Sequence, residues 1–235
     1  MEKRNVPAQD ATTNPKAWPL TKNQWALYYW LLAHSKWNSF ERQDHYYIYR
    51  NSYTNTQIMK QTGIKSPQTI ASAYKKLLEV GAIETSPFHD NAYLINTTHL
   101  YVPMSVSVLR FLLAFNKYVD PSILITTFAI LARMMKLNNG KPVSFTKTML
   151  GKLLGLAKQN IDNAGLVVVL SLLEHSELIT LSKKHYSNDL KVTCVQYTLE
   201  KVDTDGAQIS DYLGEDSEFG ETNISVLWNQ ILNIE

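Results

Sequence analysis

Residues 54–84 read Thr-Asn-Thr-Gln-Ile-Met-Lys-Gln-Thr-Gly-Ile-Lys-Ser-Pro-Gln-Thr-Ile-Ala-Ser-Ala-Tyr-Lys-Lys-Leu-Leu-Glu-Val-Gly-Ala-Ile-Glu, and their punctuation leaves the chain little local freedom. Thr54 is a good N-cap, Ile58 and Met59 turn inward from a short helix, and Gly63 supplies the left-handed residue that ends it. A second helix starts at once. Ser66 caps it, and Pro67 takes the first helical position, where its missing N–H costs nothing and its fixed φ already suits the helix. Ile70, Ala73, Tyr74, Leu77 and Leu78 recur at helical spacing and predict the core stripe. Gly81 stops this helix and a strand begins at Ala82. It runs through Ile83 to Thr85, turns over Ser86-Pro87-Phe88-His89-Asp90-Asn91 and returns along 92–96.

The rest of the chain supplies a core for such a unit. Its 235 residues are 45% hydrophobic and 19% charged, enough for two domains of roughly a hundred residues each plus a tail. The single cysteine, Cys194, lies in an alternating, strand-like stretch, so neither an intramolecular disulfide nor a structural zinc site is expected and a reducing cytoplasm suits it. The first fourteen residues lack the apolar core of a signal peptide. The longest apolar run, 164–173, is about half a membrane span. A soluble, cytoplasmic protein is expected.

Charge is divided along the chain. Residues 15–202 carry 21 basic and 11 acidic side chains, an excess of ten, while residues 203–235 carry eight acids and no base. A body this basic suits a polyanionic partner. Organisation follows the same division. Residues 1–19, with Pro7, Pro15 and Pro19, read as a flexible arm. Thr21-Lys22-Asn23-Gln24 is a capping box opening an aromatic helix through Trp25, Tyr28, Tyr29 and Trp30, whose rings are expected to fill the core. Residues 20–101 then make a first domain.

Residues 102–202 repeat the plan at a shift of 92. Thr54, Ile58 and Gly63 fall on Thr146, Leu150 and Gly155. Residues 125–137 play the first helix, 142–145 the short strand, 159–175 the last helix, and 178–181 with 190–199 the hairpin. Residues 104–116 read as an additional linking helix. The tail, 203–235, has seven acids between Asp203 and Glu221 and is expected to be a flexible polyanion that competes with a polyanionic partner for the basic faces. It ends in an amphipathic stripe of Ile224, Leu227, Trp228, Ile231, Leu232 and Ile234, which either docks on its own domain or recruits a protein partner.

The aromatic first helix, the Thr-x-x-x-Ile-Met-x-x-Thr-Gly segment and the Lys-Lys-Leu-Leu-Glu-Val-Gly-Ala-Ile ending together resemble the winged helix-turn-helix superfamily. Within it they are most similar to plasmid replication initiators of the RepA N-terminal type and to phage replisome organisers. The resemblance covers about thirty residues and is specific for the fold rather than for one family. It implies a mainly α protein with short β wings (α+β), built as two tandem winged helix-turn-helix domains.

The same superfamily directs attention to the face of residues 66–80 opposite the core. With Ile70 as the core direction, Gln68, Ser72 and Glu79 point away, flanked by Lys65, Ser66, Thr69, Lys75 and Lys76. Gln68 and Ser72 are the expected base readers, and Lys65, Lys75 and Lys76 the phosphate contacts. No arginine lies on this helix. In the second half the candidates are Lys158, Gln159, Asn160 and Asn163 at the helix start, with Lys183 and Lys184 at the wing turn. Residues 164–173 are apolar nearly all round, Leu166, Val167, Leu170 and Leu173 lying off a core stripe of Ile161, Gly165, Val168 and Leu172. Either the linking helix covers them or a second copy of the chain does.

Catalysis is not expected. The sequence has no phosphate-binding glycine loop, no Cys or His pair at metal-ligand spacing and no Gly-x-Ser-x-Gly elbow, and its six histidines are scattered. No metal or cofactor is expected either. The reading is a non-catalytic double-stranded DNA-binding protein that marks a replication origin and recruits replication proteins. A transcription regulator and a protein-interaction scaffold are the rivals.

Overall fold

The computed structural model describes residues 5–9, 18–38, 45–97, 101–156, 160–161, 165–187, 193–209 and 221–232. They form a mixed α and β protein whose strands make three small antiparallel sheets.

Strand β1 (Asn5–Gln9) precedes helix α1 (Lys22–His34), then β2 (Lys36–Asn38), β3 (His45–Tyr49), α2 (Asn55–Thr62), α3 (Pro67–Glu79) and the hairpin β4 (Ile83–Thr85) with β5 (Ala92–Ile95). Local chemistry accounts for these boundaries. The Thr54 hydroxyl accepts the Gln57 N–H at 3.3 Å, and the Gln57 side chain accepts the Thr54 N–H at 2.8 Å, closing a capping box. Gly63 leaves α2 at φ 73°, donating its N–H to the Met59 carbonyl at 3.0 Å. A side chain there would be strained in that left-handed conformation and crowded against Asn116. The strand order is β2-β3-β5-β4, with Ile48 paired to Tyr93 and Ile83 to Ile95.

The second half runs β6 (Tyr101–Ser105), α4 (Val106–Ala114), α5 (Pro121–Leu137), β7 (Val143–Thr146), α6 (Lys147–Leu153), α7 (Leu166–His175), β8 (Ile179–Ser187), β9 (Thr193–Val202) and α8 (Glu221–Leu232). Its sheet order, β7-β9-β8, matches β3-β5-β4. The correspondence extends to the caps. Thr146 Oγ1 accepts the Met149 N–H at 3.2 Å as Thr54 does that of Gln57, and Gly155 is left-handed at φ 69° as Gly63 is.

The two halves share one continuous core, with α1 at its centre. Eight successive α1 residues, Ala26 to Ala33, are buried, because α2, α3, α4 and α5 surround the helix and leave it no polar face. Polar contacts also cross the join. The Tyr29 hydroxyl meets Thr126 Oγ1 at 3.1 Å, and Asn116 Nδ2 donates to the Gln61 carbonyl at 3.1 Å, satisfying the open end of α2. Tyr28, Tyr29 and Trp30 are fully buried, and Trp25 packs against them.

Four features differ from the sequence expectation. Asn5–Gln9 belongs to the segment read as a flexible arm, yet it pairs antiparallel with β6, Pro7 facing Pro103. Neither proline can donate, which a non-hydrogen-bonded pair does not require. Leu78, assigned to the core stripe, is 38% exposed, because it lies about 80° from Ile70 around the helix axis. The helix expected over 159–175 begins at Leu166, since Gly165 is left-handed at φ 62° and cannot sit inside a helix. The tail begins as an ordered turn. Asp203 accepts the backbone N–H groups of Asp205, Gly206 and Ala207 at 2.9–3.0 Å, and Ile209 is fully buried. Residues 210–220 lie outside the described residues.

Helix α8 answers the question posed by the apolar run. It packs on α7 and buries Ile224, Leu227 and Ile231, while Trp228 stacks on Tyr118 with ring centroids 4.9 Å apart. The cover for α7 therefore includes the chain's own α8, an occupant the sequence offers only as one of two roles for the C-terminal stripe. Val167 stays 42% exposed.

One half-buried histidine makes stability depend on pH. The His34 ring stacks on Trp30 at 4.4 Å, meets the Tyr53 ring edge-on at 5.0 Å and hydrogen-bonds the Trp30 carbonyl through Nδ1 at 2.9 Å. Burial pushes its pKa from 6.5 down to about 4; the Trp30 carbonyl opposes this and the Arg110 charge adds to it. The unfolded chain thus takes up this proton first. The contribution of neutral His34 is complete above pH 6.5 and is lost as pH falls toward 4, by about 3 kcal/mol in all. Urea titrations at pH 7 and 4.5 are expected to show a smaller loss for His34→Phe than for the unaltered chain, by about 2 kcal/mol. Equal losses would contradict it.

Candidate nucleic-acid interface

Helix α3 is fixed from behind. Ile70, Ala73 and Leu77 are buried and the helix packs against α1, so its opposite face is set relative to the core. Gln68, Ser72, Lys75 and Lys65 are all exposed. They are brought together as expected, and the two lysines form no ion pair with another described residue. Other candidates are partly engaged. Ser66 Oγ accepts the Thr69 N–H at 3.2 Å and lies 2.9 Å from the Thr69 hydroxyl, so both side chains serve the helix cap. Lys76 Nζ contacts Glu79 Oε1 at 2.7 Å, and that ammonium holds the Glu79 carboxyl below its ordinary pKa. A pair this exposed stabilises little, so a competing phosphate can displace it.

The hairpin carries a cation that helix periodicity does not reveal. Arg50 follows β3, and its backbone N–H donates to the Asn91 carbonyl at 2.9 Å. Its guanidinium lies 4.4 Å over the Tyr93 ring and donates to Thr85 Oγ1 at 2.9 Å. Tyr93 stacks in turn on Tyr74 of α3, centroids 5.6 Å apart. Burial, with Tyr93 alongside, raises the Tyr74 phenol to about 12, so it stays neutral in ordinary buffers. Arg50 directly follows β3, which lies in the same sheet as the hairpin, and nothing in the α3 pattern points to it. At the hairpin turn, Ser86 Oγ accepts the N–H groups of Phe88 and His89 at 3.2 and 3.0 Å, and the His89 ring stacks on Tyr47 at 4.1 Å.

The second half offers less. Lys158, Gln159 and Asn163 lie outside the described residues, and Asn160 is exposed in a short turn ahead of α7 rather than on that helix. On the longer hairpin, Lys183 Nζ sits 3.4 Å from Glu174 of α7, whereas Lys184 lies 5.2 Å over the Tyr186 ring. Alternation along β8 sends them to opposite faces: Lys183 pairs with buried Tyr197, and Lys184 with Gln196.

No known protein family, curated protein or solved structure matches the chain. Among the described residues no helix is long and apolar enough to cross a membrane, and no three His, Cys, Asp or Glu side chains are grouped to hold a metal ion.

Proposed function

We propose that the chain is a non-catalytic double-stranded DNA-binding protein made of two tandem winged helix-turn-helix units. The observation that carries this reading is α3: one face buried on α1, the other presenting Gln68, Ser72 and Lys75 to solvent beside a two-stranded hairpin, with exposed Lys65 just ahead of the helix cap. A helix of this diameter fits the major groove. Its amide and hydroxyl side chains suit base edges and its lysines suit phosphates. The matching strand orders β3-β5-β4 and β7-β9-β8 support two units of one kind, and the excess of ten positive charges over residues 15–202 supports a polyanionic partner. Within this class we assign the chain to origin marking in plasmid- or phage-type replication, on the resemblance carried by residues 54–83.

The full chain is expected to bind a random-sequence duplex, followed by fluorescence anisotropy, with log K falling linearly in log salt. A slope of about −3 to −5 corresponds to roughly three to five neutralised phosphates. Absence of binding at low salt would remove the DNA reading. The replication assignment has its own test: the coding segment with its flanking DNA should maintain a marker plasmid that lacks an origin, and failure to do so would reject origin marking.

A further inference from the structure

We propose that Arg50 is a phosphodiester-binding residue, held ready for the duplex backbone by the Tyr74–Tyr93 stack. The inference rests on the double-stranded DNA reading above and adds to it a cation from outside α3. Arg50 is exposed, and no carboxylate of the described residues lies within ion-pair distance of it. A lone arginine on a surface ordinarily samples many rotamers. This guanidinium has its central carbon over the Tyr93 ring, 4.4 Å from the centroid, and one N–H committed to Thr85 Oγ1 at 2.9 Å, while its backbone N–H is tied to Asn91. Its position is therefore set before any ligand arrives, and its remaining donors have no partner among the described residues.

The anchors also join two elements that must act together. Tyr93 lies in β5 and pairs with Thr85 of β4, while its ring stacks on Tyr74 of α3. Arg50 is thus referenced at once to the hairpin and to the helix that carries Gln68 and Ser72. A guanidinium is a planar fork able to give two parallel hydrogen bonds to a phosphate, and pre-ordering lowers the rotamer entropy lost per bond formed. Cation–π contact with Tyr93 is an attraction to the ring and takes no acceptor pairing of its own, so the donors not given to Thr85 are left for a phosphate.

The experiment is anisotropy on random duplex over a salt series for the unaltered chain, Arg50→Gln and Arg50→Lys, with melting curves for each. Arg50→Gln should bind about tenfold more weakly at low salt on every sequence, and its salt slope should be shallower by about one unit. Its melting temperature should change by less than that of a core variant such as Leu77→Ala. Arg50→Lys should keep the slope and regain part of the affinity, because it restores charge without the fork. If Arg50→Gln leaves slope and affinity unchanged while the parent binds normally, the inference falls and the DNA reading stands. If Arg50→Lys loses the same slope as Arg50→Gln, the residue acts only through packing, and the inference also falls. Binding that inorganic phosphate at millimolar concentration abolishes in the parent, with no dependence on duplex length, would indicate a small-anion site and overturn it. Absence of duplex binding by the parent overturns both readings.

Discussion

Replacing Leu227 by alanine is expected to lower the unfolding free energy by about 2–5 kcal/mol, and ending the chain at residue 220 to produce a protein that self-associates. Leu227 is 1% exposed between Ile224 and Ile231, both buried, on the side of α8 that meets α7. Truncating such a residue loses its transfer free energy and leaves a cavity. Removing the whole helix forfeits about 1.5–3 kcal/mol for each of the three aliphatic side chains, partly offset by the chain entropy regained. It also uncovers α7, in which Leu166, Val167, Val168, Val169, Leu170, Leu172 and Leu173 alternate with few polar residues. Urea titration and light scattering measure the two effects. Unchanged stability in Leu227→Ala would show that α8 does not dock on α7. The docking also changes how an autoinhibitory role of the acidic tail is best tested. A chain ending at Val202 would lose buried Ile209 and α8 together, so neutralising Asp211, Glu215, Asp216 and Glu218 in place is the cleaner variant.

Reversing Lys75 of α3 and Lys65, just ahead of its cap, to glutamate together is expected to weaken duplex binding more than a hundredfold at low salt, equally for all sequences. On the proposed reading each lysine lost removes one counterion-releasing contact, and each glutamate adds repulsion from the backbone. Both side chains are exposed and form no ion pair with another described residue, so stability should move by no more than about 0.5 kcal/mol. Gln68→Ala with Ser72→Ala should behave differently. On the proposed reading those side chains give hydrogen bonds to base edges rather than charge, so their loss should cost about 1–3 kcal/mol on a preferred site and little on random duplex. Lys76 should matter less than Lys75, because Glu79 already holds it at 2.7 Å.

The parts of this molecule that were legible in its sequence are those governed by local chemistry. Thr54, Gly63, Ser66 and Pro67 place the ends of α2 and α3 within a residue of where they are found, because capping and left-handed turns depend on a few adjacent atoms. The β4–β5 hairpin was equally readable. What was not legible depends on distant partners. Nothing local marks Arg50 as stacked on Tyr93, since register across β3, β5 and β4 brings them together. Gly165 sits in an apolar run whose period cannot separate a helix interior from a left-handed helix start. Asp203 counted only as charge, although its carboxylate folds three backbone N–H groups into a turn. Pro7 suggested a break, yet opposite Pro103 it occupies a place in a strand pair.

The most direct test of the central claim, that the exposed face of α3 reads duplex DNA, is a comparison of specificity ratios. A preferred duplex is selected from a random pool with the unaltered chain. It and a scrambled duplex are then titrated at one fixed salt concentration against the parent and against the Gln68→Ala, Ser72→Ala double variant. The prediction is a ratio of preferred to scrambled affinity that collapses by about 5- to 150-fold in the variant, while scrambled-duplex affinity stays within a factor of about two. An unchanged ratio, or an equal loss on both duplexes, would contradict the assignment of this face to base recognition.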